Sequence, residues 1–218
     1  MRLQAVAVAA AAVVAAACGG GAGAGNGTAE VWITRDRGRQ VLAVHTVPAG
    51  LTAMQALDRV ATIKTRYGGR FVKSIAGLDG SIGARRDWFY FVNGLEGDRS
   101  AAEVRLRDGD VEWWDFRSWA NGRMSQPVVV GAWPKPVDGN VVVVAGDLGA
   151  RSAARSLARS LHATGGQGRH RILVVSRPVV FRGSRTPAGK VVFTISTAAA
   201  SRLARNPRLA RFRYEGLP

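Results

Sequence analysis

Short runs of β-branched residues separated by polar turns dominate the first half of the chain. Two such runs flank the charged turn at residues 35–39, and this arrangement predicts a β-hairpin. Alternating apolar and polar positions, together with the turn dipeptide Asn93-Gly94, predict three more strands downstream. The predicted strands of this half are 29–34, 40–47, 70–75, 88–92 and 111–119.

One helix is predicted between the hairpin and the later strands. Thr52 and Gln55 have the spacing of a capping box, in which each side chain binds a backbone amide of the other residue. Apolar residues recur at helical spacing from Met54 to Ala61, and the helix is expected to end at residues 67–69. A helix across one face of a small mixed sheet, entered after an N-terminal hairpin, is a β-grasp arrangement, so the predicted class is α+β.

The pattern changes after the proline-marked junction at residues 133–136. The order of the following elements is β-α-β-β-α-β, which predicts a small α/β sandwich of the ferredoxin-like type. The predicted elements are strands at 141–145, 171–176, 190–196 and 212–214 and helices at 151–163 and 198–205.

Charge is distributed unevenly along the 218 residues. Of the net charge of +16, residues 1–125 contribute 16 basic and 12 acidic groups, whereas residues 126–218 contribute 15 and 3. The two halves are therefore expected to do different jobs. The predicted segments are a lipoprotein signal peptide at 1–17, a Gly/Ala-rich tether at 18–28, a β-grasp domain at 29–136 and a basic α/β unit at 137–218.

The N-terminal segment has the pattern of an export signal. Its apolar run, residues 5–17, is too short to span a bilayer but has the length of a signal-peptide hydrophobic region. Small residues precede Cys18, and this junction resembles the lipobox of bacterial lipoproteins, whose cysteine is acylated after cleavage. The resemblance implies palmitate on Cys18 and an exported protein that is lipid-anchored to the outer face of the cell membrane. An ordinary secretory signal with an incidental cysteine is the alternative.

Four segments of the first half, in order and spacing, resemble the transcobalamin-like C-terminal domain family. They are LTAMQALDRVA, GRFVKSIAGL, DWFYFVNGLEGD and LRDGDVEWWDFRSW, and the likeness extends into QPVVVGAWPKP. The resemblance implies a β-grasp domain that binds a small ligand, with a cobalamin-like molecule as the candidate. It also implies an accessory role in vitamin uptake beside a vitamin transporter. An envelope protein-protein or polymer-interaction module without a small ligand is the alternative.

Large aromatic residues are concentrated in the last strands of the first domain. Alternation along a strand places them on both faces, so one set is expected to pack on the helix. The other set is either available to a planar conjugated ligand or buried under residues 126–218. For the ligand hypothesis, tryptophan stacking is combined with polar edge contacts from Asp115 and Arg117. The predicted ligand-binding residues are Trp88, Tyr90, Trp114, Asp115, Arg117 and Trp119.

No catalytic or metal-binding motif is recognisable. The three histidines lack metal-ligand spacing, no serine lies in a Gly-x-Ser-x-Gly elbow, and a single cysteine excludes an intramolecular disulfide. The chain is therefore expected to be neither an enzyme nor a metalloprotein, and no cofactor is expected beyond the ligand named above.

Arg151, Arg155 and Arg159 recur at every fourth position of a predicted helix and form a basic stripe. No nucleic-acid-binding motif accompanies it, and an exported protein meets little nucleic acid, so nucleic acid is not the expected partner. Anionic lipid headgroups or envelope polymers are the expected partners. The alternative is a solvated face in a protein with biased codon usage, since the chain has 27 Arg and 4 Lys.

Overall fold

The computed structural model describes residues 27–120, 122, 124–163 and 165–218. Within these residues the chain forms 12 strands in three sheets and three α-helices, which confirms the predicted α+β class. None of the helices in this part of the chain is long and apolar enough to cross a membrane. The predicted signal peptide and Cys18 lie outside the described residues.

The first half folds as a β-grasp. Its five-stranded sheet has the order β2-β1-β8-β6-β7, in which β1 pairs with β2 in an antiparallel hairpin and with β8 in parallel. A second sheet has the order β3-β4-β5. The elements are β1 (Thr28–Arg35), β2 (Gln40–Pro48), α1 (Ala53–Val60), β3 (Ile63–Arg66), β4 (Phe71–Ile75), β5 (Leu78–Asp79), β6 (Arg86–Val92), β7 (Leu95–Glu96) and β8 (Val111–Ser118).

Helix α1 begins as predicted but ends early. The Thr52 hydroxyl accepts a hydrogen bond from the Gln55 backbone N–H at 3.2 Å, and the Gln55 side-chain oxygen accepts from the Thr52 N–H at 2.9 Å, which confirms the capping box. The expected end at residues 67–69 is wrong, because residues 63–66 form strand β3 and 67–69 lie in the turn into β4. The β-branched residues of this stretch favour extended backbone.

The second half has one mixed sheet covered by two helices. Its order is β11-β12-β10-β9, with β9, β10 and β12 parallel and β11 antiparallel at the edge. Helix α2 contacts β9 and β10, and helix α3 packs against α2 and β12. The elements are β9 (Val141–Ala145), α2 (Arg151–Ser160), β10 (His170–Val175), β11 (Arg182–Arg185), β12 (Val191–Ser196) and α3 (Thr197–Arg205).

The expected ferredoxin-like topology is wrong for this unit. Three strands lie between α2 and α3, and no strand follows α3 in the described residues. Strand β11 was not predicted because its sequence, RGSR, is short and polar and has no apolar alternation. Residues 212–214, expected to add a last strand, leave this sheet and pack against the first one.

Residues 212–214, which we call the C-terminal segment, cover the face of the first sheet that α1 leaves open. Trp32, Phe91 and Trp113 of that sheet form a buried cluster with Val129 and Tyr214. The rings of Phe91 and Trp113 meet the Tyr214 ring edge-on, with centroids 5.5 and 5.4 Å apart. The second aromatic set is therefore buried under residues 126–218, as one of the two sequence interpretations expected. Residues 128–137 join the other core, because their side chains pack in the core of the second sheet.

One buried carboxylate joins the first hairpin to the C-terminal segment. Asp115 is fully buried and accepts hydrogen bonds from the Thr34 hydroxyl at 2.6 Å and from the backbone N–H groups of Arg37 and Gly38 at 3.1 and 3.0 Å. The Tyr214 hydroxyl donates another at 2.9 Å. Burial and the adjacent carboxylate raise the pKa of Tyr214 well above its usual value, so this hydroxyl keeps the proton that it donates.

Glycine is required at position 38 for two reasons. Its φ of +75° is in the left-handed region, and a Cβ there would lie 1.9 Å from the carbonyl oxygen of Phe212. The hairpin turn therefore approaches the C-terminal segment as closely as backbone atoms allow.

Replacing Tyr214 with Phe should destabilise the protein by about 1–3 kcal/mol, because Asp115 loses a donor while it stays buried. The measurement is the free energy of unfolding from urea titration followed by tryptophan fluorescence. Tyr67→Phe is the matched control, since that side chain is 75% exposed. Equal loss in the two variants would contradict the role given to the Tyr214–Asp115 hydrogen bond.

Candidate functional site

A cleft of about 880 Å³ opens beside strands β6 and β8 of the first domain. Aromatic side chains from the β3–β4 hairpin, from both strands and from the chain after β8 line it. We call it the aromatic cleft and define it by Tyr67, Phe71, Trp88, Tyr90, Trp114 and Trp119.

The floor of the aromatic cleft is a packed layer of rings. Tyr90 on β6 is the cross-strand partner of Trp114 on β8, and the two rings stack with centroids 5.1 Å apart. Trp88, two residues before Tyr90, packs on Phe116 at 5.2 Å. Trp88 and Trp114 are almost completely buried and belong to the core beneath α1. The floor is therefore held in place by the core of the domain.

The polar atoms of this floor are already hydrogen-bonded within the protein. Trp88 Nε1 donates to the Leu78 carbonyl at 2.8 Å, and the Tyr90 hydroxyl donates to the Arg99 carbonyl at 2.5 Å. Burial raises the pKa of Tyr90 to about 12, with a further contribution from the negative charge of Asp98. The partly exposed ring of Tyr90 consequently offers apolar and π surface to a ligand rather than a new hydrogen bond, while Trp88 and Trp114 support it from the core.

Exposed apolar side chains surround the opening of the aromatic cleft. Tyr67, Phe71, Ile82 and Met124 are 75%, 40%, 72% and 53% exposed. They are four of nine large hydrophobic residues that are exposed in the described part of the chain, and all four line this one cleft. Apolar groups gathered at a concave surface indicate a binding site. Sequence reasoning missed these four, because they lie in or beside turns, where no periodic pattern marks them.

The rim of the aromatic cleft carries charges of both signs. Arg70 forms an ion pair with Glu103, and Arg99 forms one with Asp98 at 3.2 Å. Asp87 accepts a hydrogen bond from the Trp88 backbone N–H at 2.9 Å, and burial raises its pKa. Because the rim charges are largely balanced, this site favours a ligand of low net charge.

Four of the six predicted ligand-binding residues come together in the aromatic cleft, namely Trp88, Tyr90, Trp114 and Trp119. Asp115 and Arg117 do not line it, because strand alternation places their side chains on the opposite face of β8 from Trp114. The Arg117 guanidinium lies 3.6 Å from the centroid of the Phe89 ring.

Arg117 nevertheless supports the cleft from behind. It is fully buried, forms an ion pair with Glu96 at 3.2 Å and donates to the Met124 carbonyl at 2.6 Å. Both of these partners line the aromatic cleft. Arg117 thus holds cleft residues in position without reaching the cleft itself.

A second cleft of similar volume lies on the other side of Tyr90. It is lined by charged side chains of both signs, among them Arg99, Glu103, Arg107 and Asp108, and by none of the large hydrophobic residues that are exposed in the described part of the chain. The aromatic cleft is the better candidate, because burial of exposed apolar surface is the main source of small-molecule affinity.

The other residues that were predicted from sequence to contact a partner lie away from the aromatic cleft or outside the described residues. Arg151, Arg155 and Arg159 are exposed on α2, on the side opposite its buried Leu157. Cys18 is outside the described residues. Within those residues, no group of three or more His, Cys, Asp or Glu side chains is arranged to hold a metal ion.

Glu112 is a buried carboxyl group in the core below Trp114. It is fully buried and accepts a hydrogen bond from Trp114 Nε1, while its Oε2 has no hydrogen-bond partner within the described part of the chain. Burial raises the pKa of Glu112 from 4.5 to about 8. The side chain is therefore protonated at neutral pH.

Comparison with known proteins gives one family match and low structural similarity. Residues 50–118 match the family described as a domain of unknown function, DUF4430, which covers less than half of the chain. No curated protein matches the chain.

Two solved structures show low similarity to part of the chain. A suggested metal-binding protein from Ruminococcus gnavus ATCC 29149 has 13% identity and a TM-score of 0.33 over 42% of this chain and 97% of its own. Haptocorrin in complex with Cbi has 17% identity and a TM-score of 0.34 over 41% of this chain. The match spans 25% of the haptocorrin chain. The β-grasp assignment rests on the strand order described above.

Replacing Glu112 with Gln should remove a pH dependence of stability. Between pH 4.5 and about 8 the unfolded chain releases this proton and the folded chain keeps it. The free energy of unfolding of the native sequence therefore falls as pH rises, by up to about 1.4 kcal/mol per pH unit.

The test compares urea unfolding of Glu112→Gln and the native sequence at several pH values in this window. The stability advantage of Glu112→Gln should grow as pH rises. Glu215→Gln, at an exposed position, is the control and should show a constant difference. A constant difference for Glu112→Gln as well would show that the carboxyl group ionises normally in the folded state.

Proposed function

We propose that this protein is a non-enzymatic, exported lipoprotein whose aromatic cleft binds a small, planar and largely apolar ligand. The observation that carries the proposal is the gathering of exposed Tyr67, Phe71, Ile82 and Met124 around a fixed floor of stacked rings. A conjugated ring system would stack on these aromatic groups and bury the apolar surface that they now expose to water.

A cobalamin-like molecule is the ligand class that we propose to test first. Its support is the resemblance of the first domain to the transcobalamin-like family together with a cleft that provides flat apolar surface and a charge-balanced rim. The same resemblance leads us to propose a role as an accessory to vitamin uptake, beside a membrane transporter that receives the ligand.

Edge strand β2 favours the second candidate function, a protein-protein interaction module. β2 lies at the edge of the five-stranded sheet, and in the described part of the chain its one partner strand is β1. Its Val41, Leu42 and Val44 are 44%, 45% and 40% exposed. An extended segment of another protein would pair with this open edge through backbone hydrogen bonds.

Titration with a panel of corrinoids and other planar macrocycles should quench the tryptophan fluorescence of the cleft at micromolar concentration. Phe71→Ala should weaken binding about tenfold, because the ligand loses an aromatic contact at the opening. Leu42→Ala is the matched control, since its exposure is 45% against 40% for Phe71 and it lies on β2, away from the cleft. Absence of quenching with every ligand would refute the small-ligand proposal and favour the β2 module.

Cys18→Ser should abolish incorporation of labelled palmitate and release the protein from membranes that are washed at high salt, which screens charge-dependent membrane contacts. The acyl chains on Cys18 provide the anchor in this proposal, at about 0.8 kcal/mol per buried methylene. Labelling of the native chain in cells and fractionation of both forms provide the measurement. Unchanged association of Cys18→Ser with the salt-washed membranes would eliminate the anchor without affecting the proposal for the cleft.

A further inference from the structure

The second half of the chain carries a positive charge that the protein itself does not neutralise. From residue 151 to residue 214 there are 13 Arg, one Lys and no Asp or Glu. Among the described residues two of these cations form ion pairs, Arg185 with Asp98 at 3.8 Å and Arg211 with Glu30 at 2.9 Å. The arginines of helix α2 have no acidic partner in this part of the structure.

Helix α2 presents three of these cations in a row. Its buried side, which includes Ala154 and Leu157, packs on the sheet, and Arg151, Arg155 and Arg159 are exposed on the other side. With a rise of 1.5 Å per residue, neighbouring arginines are about 6 Å apart along the helix and the row is about 12 Å long. This is a flat, linear arrangement rather than a pocket for one small anion.

An exposed leucine lies next to the arginine row. Leu148 is 74% exposed and opens a 3₁₀ turn, Leu148–Ala150, that runs directly into α2. It precedes Arg151 by three residues, which places it over Arg151 on the same side of the helical segment. The protein thus exposes a large apolar side chain directly beside its basic row.

We propose that this face of α2 docks on an anionic lipid bilayer. Leu148 enters the apolar layer below the headgroups, and Arg151, Arg155 and Arg159 contact lipid phosphates. Membrane-surface binding grows with the apolar area inserted and with the number of cations near anionic headgroups, and this face provides both. The proposal is independent of the ligand in the aromatic cleft and of acylation at Cys18.

The same observations argue against a nucleic acid on this face. Single-stranded nucleic acids are held by aromatic side chains that stack on bases, whereas α2, with the sequence RSAARSLARS, has no aromatic residue. An exposed leucine gains nothing against a phosphate backbone in water, but it gains apolar burial in a bilayer. The combination of Leu148 with the arginine row therefore favours the bilayer.

The test is sedimentation with vesicles of phosphatidylcholine alone or with a quarter of phosphatidylglycerol. The full chain carrying Cys18→Ser is used throughout, so that no acyl chain contributes and the N-terminal segment contributes equally to every variant. Binding should require phosphatidylglycerol and fall with salt. Replacing Arg151, Arg155 and Arg159 together with Gln should weaken binding about 100-fold, and Leu148→Ala about tenfold.

Two matched controls separate the proposed face from the overall charge. Replacing Arg39, Arg59 and Lys64 together with Gln removes the same charge from exposed positions of the first domain. Val180→Ala shortens an apolar side chain of the second half that is 46% exposed and lies in neither the arginine row nor the aromatic cleft. Both controls should leave vesicle binding within about twofold of the parent chain.

Two results would overturn the proposal. Equal losses in the two triple variants would show that only the net charge matters. Tighter binding to a single-stranded oligonucleotide than to the anionic vesicles, unaffected by Leu148→Ala, would assign the row to a phosphate polymer instead.

Discussion

Asp115 is a carboxylate without access to water, and the arrangement of the whole molecule depends on satisfying it. A buried charge is costly unless hydrogen bonds replace its hydration. Two donors come from the backbone of the β1–β2 turn, one from Thr34, and one from Tyr214, which is 99 residues away in sequence. The turn presents its two N–H groups from backbone with positive φ at Asp36, Arg37 and Gly38, and the Tyr214 hydrogen bond holds the C-terminal segment against the first sheet.

Strand β8 separates the candidate binding site from the contact between the two halves of the chain. We call this contact, formed by Trp113 and Asp115 with Tyr214, the joint. Trp114 faces the cleft and the core below α1, while Trp113 and Asp115, one residue to either side, face the C-terminal segment. Arg117 connects the two sides, because it lies in the joint and yet bonds Glu96 and the backbone of Met124, which line the cleft. The cleft and the joint are thus two faces of one rigid strand.

Periodicity predicted the elements that bury apolar residues and failed for those that do not. Strand β9 was predicted with its observed bounds because its residues form a continuous apolar run, and the capping box of α1 is confirmed because its two residues lie only three positions apart. Polar β11 pairs with the next strand, β12, and β3, which ends α1 early, pairs with the next strand, β4. These pairings are made by backbone groups, so they leave no apolar pattern in the sequence. The tryptophans of the cleft could be proposed from sequence because Trp88 and Trp114 lie on strands with an alternating pattern. Ile82 and Met124 could not, because they lie in loops without such a pattern.

The excess positive charge of the protein lies away from the aromatic cleft. The excess of basic residues lies after residue 125, whereas the cleft rim pairs its arginines with nearby carboxylates. If Cys18 is anchored, the ten residues from there to Thr28, the start of β1, extend no more than about 36 Å, since an extended chain spans at most about 3.6 Å per residue. A second contact through α2 would then fix the orientation of a body that the tether alone leaves free to rotate. Whether the cleft faces a membrane protein or the solvent would be decided by that second contact.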